Sequence, residues 1–122
     1  MGAQISSQQK SDHGEVLSIN SLDNWKTRFQ NSKTSNKLMV IDFSAAWCGP
    51  CKFIEPAVHD LAIEFSDVDF IKIDIDVLPD VAKDFEVNAM PTFVLVKKGK
   101  ECERIVGAKK DELHRMIEKH RF

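Results

Sequence analysis

Cys48 and Cys51 have the clearest potential for chemistry in this chain, because two thiols separated by two residues can cycle between a dithiol and a disulfide. The mostly apolar residues 38–43 before them predict a buried parallel strand, and residues 52–65 after them predict a helix. A thiol at a helix N-terminus lies beside unpaired backbone N–H groups and the positive end of the helix dipole, which stabilise its thiolate. We therefore expect Cys48 to be the accessible attacking thiolate and Cys51 to be the shielded resolving thiol.

The same cysteine spacing also occurs in zinc sites and in static disulfides. A zinc site usually takes four ligands, and the remaining candidates here are Cys102 and scattered histidines. A static disulfide across so short a loop restricts the unfolded chain little, and the sequence offers no second cysteine pair. Redox chemistry is therefore favoured, and no metal is predicted.

Composition indicates one compact domain with its own core, since the chain has 122 residues and 43% of them are apolar. The net charge of −2 is spread over interspersed acidic and basic residues, so nucleic acid is not an expected partner. No apolar run reaches the ~18 residues of a membrane span, and the N-terminus lacks the apolar core of a secretory signal. We expect a cytoplasmic protein, with import into an organelle left open.

The first six residues match the N-myristoylation pattern, with Gly2 as the acylated residue. The alternative is a disordered polar tail, because this end of the chain is rich in serine and glutamine. Both interpretations stay open, and one acyl chain would give at most weak membrane association. We assign residues 1–14 to a disordered extension and residues 15–122 to the folded domain.

Hydrophobic periodicity predicts the elements that position the cysteines. The predicted strands cover residues 15–19, 38–43, 69–77, 92–96 and 101–106. The first predicted helix has Ser21 as its N-cap, and the other predicted helices cover residues 52–65, 79–85 and 109–120. Crossover connections followed by a hairpin at 97–100 indicate an α/β fold, in which a mixed five-stranded sheet is flanked by about four helices. The strand at 38–43 is expected at the centre of the sheet.

Apolar residues at helical spacing predict which faces of the first two helices are buried. In the first helix the predicted buried residues are Leu22, Trp25 and Phe29. In the second they are Phe53, Ala57, Val58, Leu61 and Phe65, and Pro56 is expected to kink this helix.

From residue 16 to the C-terminus the chain resembles the thioredoxins, most closely plant h-type thioredoxins with an N-terminal extension. The residues that carry the resemblance are Asp42, Trp47-Cys48-Gly49-Pro50-Cys51, Pro56, Lys72, Met90-Pro91-Thr92 and Gly107. Several motifs at family-like spacings are far more specific than a cysteine pair alone. The resemblance implies the thioredoxin fold and a thiol–disulfide oxidoreductase that reduces target proteins through a mixed disulfide. It also implies a monomer with no bound cofactor, supplied with NADPH electrons by a thioredoxin reductase or by glutathione and glutaredoxin.

Asp42 lies on an otherwise apolar strand, where burial should raise the pKa of its carboxyl group. The resemblance makes Asp42 the proton acceptor that deprotonates Cys51, with Lys72 as its charge partner. The alternative is a carboxylate that ends a strand or caps a turn. The resemblance also assigns Gly49 and Pro50 to tuning of the redox potential, and Pro50 contributes no N–H to stabilise a thiolate.

An apolar collar for substrates is expected around the two sulfurs. By resemblance Pro91 is cis and faces the cysteines, which exposes the Met90 backbone to an extended substrate segment. The alternative is an ordinary trans proline at a strand start. The predicted substrate-binding residues are Trp47, Met90, Pro91, Val106, Gly107 and Ala108.

Two further alternatives concern the third cysteine and the function as a whole. Cys102 is expected to be a half-buried apolar filler, with glutathionylation or dimerisation through it left open. A non-catalytic binding module could use the same collar. The presence of Cys48, Cys51, Asp42 and Pro91 together weighs against that interpretation.

Overall fold

A five-stranded mixed sheet runs through the centre of the computed structural model, which describes residues 14–122. The predicted acylation site at Gly2, and all but the last residue of the predicted extension, lie outside the described residues. The strands are β1 (Val16–Ser18), β2 (Leu38–Ser44), β3 (Asp69–Asp74), β4 (Thr92–Lys97) and β5 (Lys100–Val106). The helices are α1 (Leu22–Ser32), α2 (Gly49–Glu64), α3 (Pro79–Asp84) and α4 (Lys110–His120).

The strand order is β1-β3-β2-β4-β5, with β2 at the centre. Strand β3 pairs in parallel with β1 and β2, whereas β4 pairs antiparallel with β2 and β5. All seven residues of β2 are buried, as its continuous apolar run predicts. The predicted mixed sheet, its central strand and its C-terminal hairpin are therefore confirmed.

Successive side chains of β2 point to opposite faces of the sheet, so the strand contributes to two cores. Leu38 and Val40 pack on one face, in a core that includes Ile54, Val58, Leu61, Leu113 and Ile117 of helices α2 and α4. The other face is covered by α1 and α3, where Met39, Ile41 and Phe43 pack with Trp25, Val81 and Ala82. Asp42 has the same parity along β2 as Leu38 and Val40, which places it on the face covered by α2.

Helix α2 departs from its predicted form in two respects. It begins at Gly49 rather than at residue 52, because Cys48 already acts as its N-cap. The prediction that Phe53 is buried is wrong, since this side chain is 81% exposed, whereas Ile54 is 3% exposed. The buried stripe is Ile54, Val58, Leu61 and Phe65, which recur at helical spacing, and Phe53 lies one residue off that stripe.

The remaining differences concern element ends and one side chain of α1. Ser21 caps α1 as predicted, since its hydroxyl oxygen accepts a hydrogen bond from the backbone N–H of Asn24 at 3.1 Å. Trp25 is buried, but Leu22 in the first turn is exposed and not part of the core, contrary to the prediction. Strand β3 ends at Asp74 rather than at residue 77, because the chain turns there into α3.

No helix within residues 14–122 has the length and apolar character needed to cross a membrane.

Candidate active site

Cys48 and Cys51 lie where the chain passes from β2 into α2. They form a disulfide with their Cα atoms 5.3 Å apart. Cys48 has the extended backbone of an N-cap residue, and its Sγ accepts a hydrogen bond from the backbone N–H of Cys51 at 3.2 Å. Pro50 lies in the first turn of the helix. Backbone N–H groups there have no acceptor within the helix, so the absence of an N–H on proline costs no helical hydrogen bond. After reduction, the same N–H and the helix dipole are placed to stabilise a thiolate on Cys48.

Exposure does not distinguish the two cysteines in this disulfide form. Cys48 is 4% exposed and Cys51 is 5% exposed, so the expected contrast between an accessible and a shielded sulfur is wrong for this state. Both pack against Ala45 and the partly buried Ile75 and Met90, which cover them from the neighbouring loops. The asymmetry lies instead in the helix cap, because only the Cys48 sulfur receives a backbone N–H from the first turn.

Trp47, next to Cys48 in the chain, presents an exposed apolar surface beside the disulfide. Its side chain is 65% exposed, and its indole Nε1–H donates to Oδ2 of Asp76 at 2.9 Å. The backbone N–H of Asp76 in turn donates to Oδ1 of Asp74 at 2.8 Å. These aspartates hold the indole in place, and sequence reasoning missed them because they lie at the end of the third strand and just after it, far from the cysteines along the chain.

The Met90–Pro91 peptide bond is cis, as the resemblance implies. Met90 packs against the cysteine pair, and the Pro91 carbonyl oxygen accepts the backbone N–H of Gly107 at 2.8 Å. Gly107 has a φ of +104°, a conformation that favours glycine. Val106 before it is 45% exposed, but Ala108 packs against the core under α2 and α4. The structure therefore brings the predicted collar residues together, with Ala108 turned inward rather than towards a substrate.

Asp42 is a buried acidic group with an unusual proton affinity. It is 6% exposed, and its Oδ1 is the one buried side-chain nitrogen or oxygen atom within residues 14–122 that has no hydrogen-bond partner. Burial raises the pKa of Asp42 from 3.8 to about 7; the positive charge of Lys72 opposes this shift and the negative charge of Glu55 adds to it. A carboxyl group with this pKa can accept and return a proton near neutral pH.

A cavity of about 100 Å³ adjoins the Asp42 carboxyl group. Its lining residues are Val16, Ser18, Asp42, Glu55, Val58, His59 and Lys72. This volume and its polar lining suit one or a few water molecules. Asp42 therefore has a polar path towards the protein surface, although its own side chain is buried.

Lys72 was expected to be the charge partner of Asp42, and its positive charge does oppose the raised pKa of the Asp42 carboxyl group. The two residues lie directly opposite each other in the β2/β3 register, but the Lys72 ammonium Nζ is 2.5 Å from Oε2 of Glu55. The Glu55 carboxylate takes the hydrogen bond because α2 brings it over the outer end of the lysine. Sequence reasoning missed Glu55; its position two helical turns after Cys48 was the available signal.

Cys102 on β5 is half-buried and packs against the core under α2 and α4. Its thiol donates to the Leu95 carbonyl oxygen at 3.4 Å, and burial raises the pKa of the thiol. Both observations favour a packing role, because a high pKa keeps the sulfur in its unreactive thiol form.

Within the described part of the chain, no group of three or more histidine, cysteine, aspartate or glutamate residues is arranged to hold a metal ion.

Comparison with known proteins decides the family. The family model described as thioredoxin matches residues 16–119. The chain belongs to the thioredoxin family. Thioredoxins are protein-disulfide oxidoreductases, and the Cys48–Cys51 pair occupies their active-site position.

The chain is similar to plant h-type thioredoxins. Thioredoxin H2 of Arabidopsis thaliana is 60% identical over 112 residues, which are 92% of this chain and 84% of the relative. Thioredoxin H-type 1 of Nicotiana tabacum is 46% identical over 110 residues, covering 90% of this chain and 87% of the relative. The crystal structure of thioredoxin NaTrxh from Nicotiana alata superposes with a TM-score of 0.87 at 55% identity, covering 88% of this chain and 93% of that chain. Family and fold are thus those that the sequence predicts.

Proposed function

We propose that this thioredoxin is a reductant of protein disulfides in which Cys48 attacks and Cys51 resolves. The Cys48 thiolate attacks one sulfur of the target disulfide, and the other target sulfur leaves as a thiolate that takes up a proton. Cys51, once deprotonated, attacks Cys48 and releases the second target thiol. The dithiol has then become a disulfide, and the target disulfide has become a dithiol. The observation that carries this order of attack is the hydrogen bond from the Cys51 N–H to the Cys48 sulfur at the start of α2.

Asp42 is proposed to accept the proton of Cys51 in the second step. Support comes from its burial, from its pKa of about 7 and from the adjoining cavity, which has room for a bridging water molecule. At cytosolic pH a comparable share of Asp42 groups is ionised and protonated. The group can therefore take a proton in one half of the redox cycle and return it in the other.

Target proteins are proposed to dock on the surface formed by Trp47, Met90, Pro91, Val106 and Gly107. Support comes from the exposed indole of Trp47 and the half-exposed Val106, which flank the disulfide. Further support is that Met90 packs against the cysteine pair, so an extended segment of a target could pair with the backbone there. Such main-chain pairing would make the surface tolerant of different target sequences.

The partners and setting follow from family resemblance. The proposed electron supply is NADPH through a thioredoxin reductase, or glutathione with glutaredoxin, with no bound cofactor. We further propose that residues 15–122 form the domain of a monomeric plant protein in the cytoplasm, with acylation at Gly2 adding at most weak membrane association.

The test is turnover of a disulfide-bearing protein such as insulin, followed by NADPH consumption with a thioredoxin reductase or with the glutathione system. Turnover by the wild type, loss of turnover in Cys48→Ser and retention in the control Cys102→Ser are expected. Absence of turnover with every electron donor would instead indicate a binding module with an incidental dithiol.

A further inference from the structure

Glu55 takes part in no step of the proposed reaction, yet it binds the ammonium group of Lys72, which lies beside Asp42 in the sheet. The Lys72 backbone is opposite Asp42, and its ammonium is hydrogen-bonded to Glu55 at 2.5 Å. The three side chains line the same small cavity. A second cavity, lined by Ser44, Lys52, Lys72 and Asp74 among others, also includes Glu55. The Glu55–Lys72 ion pair therefore borders two cavities, and Asp42 borders only one of them.

We propose that Glu55 is a positioning residue, which sets the proton affinity of Asp42 by holding the Lys72 ammonium away from the Asp42 carboxyl group. This inference rests on the proposed role of Asp42 and names the residue that regulates it. The Oδ1 atom of Asp42 is buried without a partner, so it would accept a hydrogen bond from any ammonium that reached it. A direct ion pair with Lys72 would fix Asp42 as a carboxylate and make it a weak base.

The other charged groups around the cavity bear on Glu55 more than on Asp42. His59 and Lys52 of α2 and Lys72 of β3 all lower the pKa of Glu55, with the hydrogen bond from Lys72 the largest cause. Glu55 is therefore a carboxylate throughout the neutral pH range and stays ion-paired with Lys72. The groups that act on Asp42 are Lys72 and Glu55 themselves. Asp74 of β3 borders only the second cavity.

A simple surface ion pair is the alternative, since the Lys72 and Glu55 side chains are 31% and 44% exposed. Such a pair would change little beyond its own contact when it is removed. The two accounts differ in what happens to Asp42 when Glu55 loses its charge.

The experiment measures the pH titration of the Asp42 carboxyl carbon by NMR in the full-length oxidised protein, for the wild type and Glu55→Gln. Without the carboxylate, Lys72 is free to approach Asp42, and the midpoint of the Asp42 titration should fall by about one pH unit. Asp60→Asn is the matched control, because it removes the same charge from an exposed position of α2 that does not line the cavity. The control should leave the midpoint within about 0.2 pH unit of the wild type.

Repeating Glu55→Gln in a Lys72→Met background tests whether the effect passes through the lysine. There the shift should shrink to less than about half, because only the direct charge effect of Glu55 remains. An unchanged midpoint in Glu55→Gln, or an equal shift with and without Lys72, would overturn the inference.

The pH dependence of mixed-disulfide resolution separates this inference from the proposed function. The midpoint of that rate should move down with the NMR midpoint in Glu55→Gln. If the NMR midpoint moves and the rate profile does not, Glu55 still controls the proton affinity of Asp42, and the proposed role of Asp42 as the proton acceptor fails instead.

Discussion

Replacing Asp42 by asparagine is expected to stabilise the oxidised protein by an amount that increases with pH. The folded protein holds the pKa of Asp42 at about 7, mainly through burial, against 3.8 for the free group. Between these values the folded state binds more protons than the unfolded state, so the free energy of unfolding falls as the pH rises. Above about pH 7 both states are ionised and the loss levels off. Asparagine is neutral at every pH and removes this penalty.

The size of the effect follows from proton linkage. The rise of the Asp42 pKa from 3.8 to about 7 lowers the free energy of unfolding of the wild type by about 2 kcal/mol at about pH 5 and by about 4 kcal/mol at about pH 8. The buried amide of asparagine has its own desolvation cost, but that cost is the same at both pH values. The stability difference between Asp42→Asn and the wild type should therefore grow by about 2–3 kcal/mol over this interval.

Urea unfolding of the oxidised proteins at the two pH values, followed by circular dichroism, measures this growth directly. Asp60→Asn is the matched control, since it removes a carboxylate from an exposed position of α2. Its stability difference from the wild type should be nearly independent of pH over the same range. A constant difference for Asp42→Asn, or one that shrinks as the pH rises, would refute the reasoning that Asp42 is a desolvated acid with a raised pKa.

The other predictions concern packing, backbone conformation and the third cysteine. In urea unfolding, Ile54→Ala should cost about 2–5 kcal/mol and the neighbouring Phe53→Ala less than about 0.5 kcal/mol; similar costs would contradict the corrected buried stripe of α2. Gly107→Ala should lower stability by about 1–3 kcal/mol, because alanine is strained at a φ of +104°, and an unchanged thermal midpoint would contradict this. Cys102→Ser should retain turnover of insulin, whereas loss of turnover in a folded variant would give this thiol a role in the reaction.

The fold could be predicted because each element has a strong and local signal. The apolar run of β2 marks a strand buried on both faces, and the apolar residues Phe70, Ile71 and Ile73 among polar neighbours mark the next one. The turn at 97–100 joins β4 and β5 as expected, and Gly99 there has a φ of +80°. Misplaced boundaries, such as the start of α2, arise because an N-cap depends on backbone geometry that periodicity does not contain.

The burial error at Phe53 has a different origin. A phenylalanine carries so large an apolar surface that sequence reasoning places it inside, but the helix phase is set by Ile54, Val58 and Leu61 together. A residue one position off that stripe turns towards solvent whatever its type. Periodicity was therefore the better guide than residue type at this position.

The candidate site was predictable in its residues but not in its contacts. Asp42, Lys72 and the cysteines stand at spacings that the family shares, so resemblance identifies them. The ion pair of Lys72 with Glu55, and the bond from Trp47 to Asp76, join residues 17 and 29 positions apart on different elements. Neither contact leaves a local pattern, because each depends on side chains that meet only after the sheet has formed.

The central claim is that Cys48 attacks and Cys51 resolves, and the most direct measurement is intact mass after reduced Cys51→Ser meets a protein disulfide. The account predicts one target chain bound covalently per thioredoxin, released by excess dithiothreitol, and no such complex with Cys48→Ser under the same conditions. A complex of equal yield through Cys51 in Cys48→Ser, or no covalent complex with folded Cys51→Ser, would contradict it.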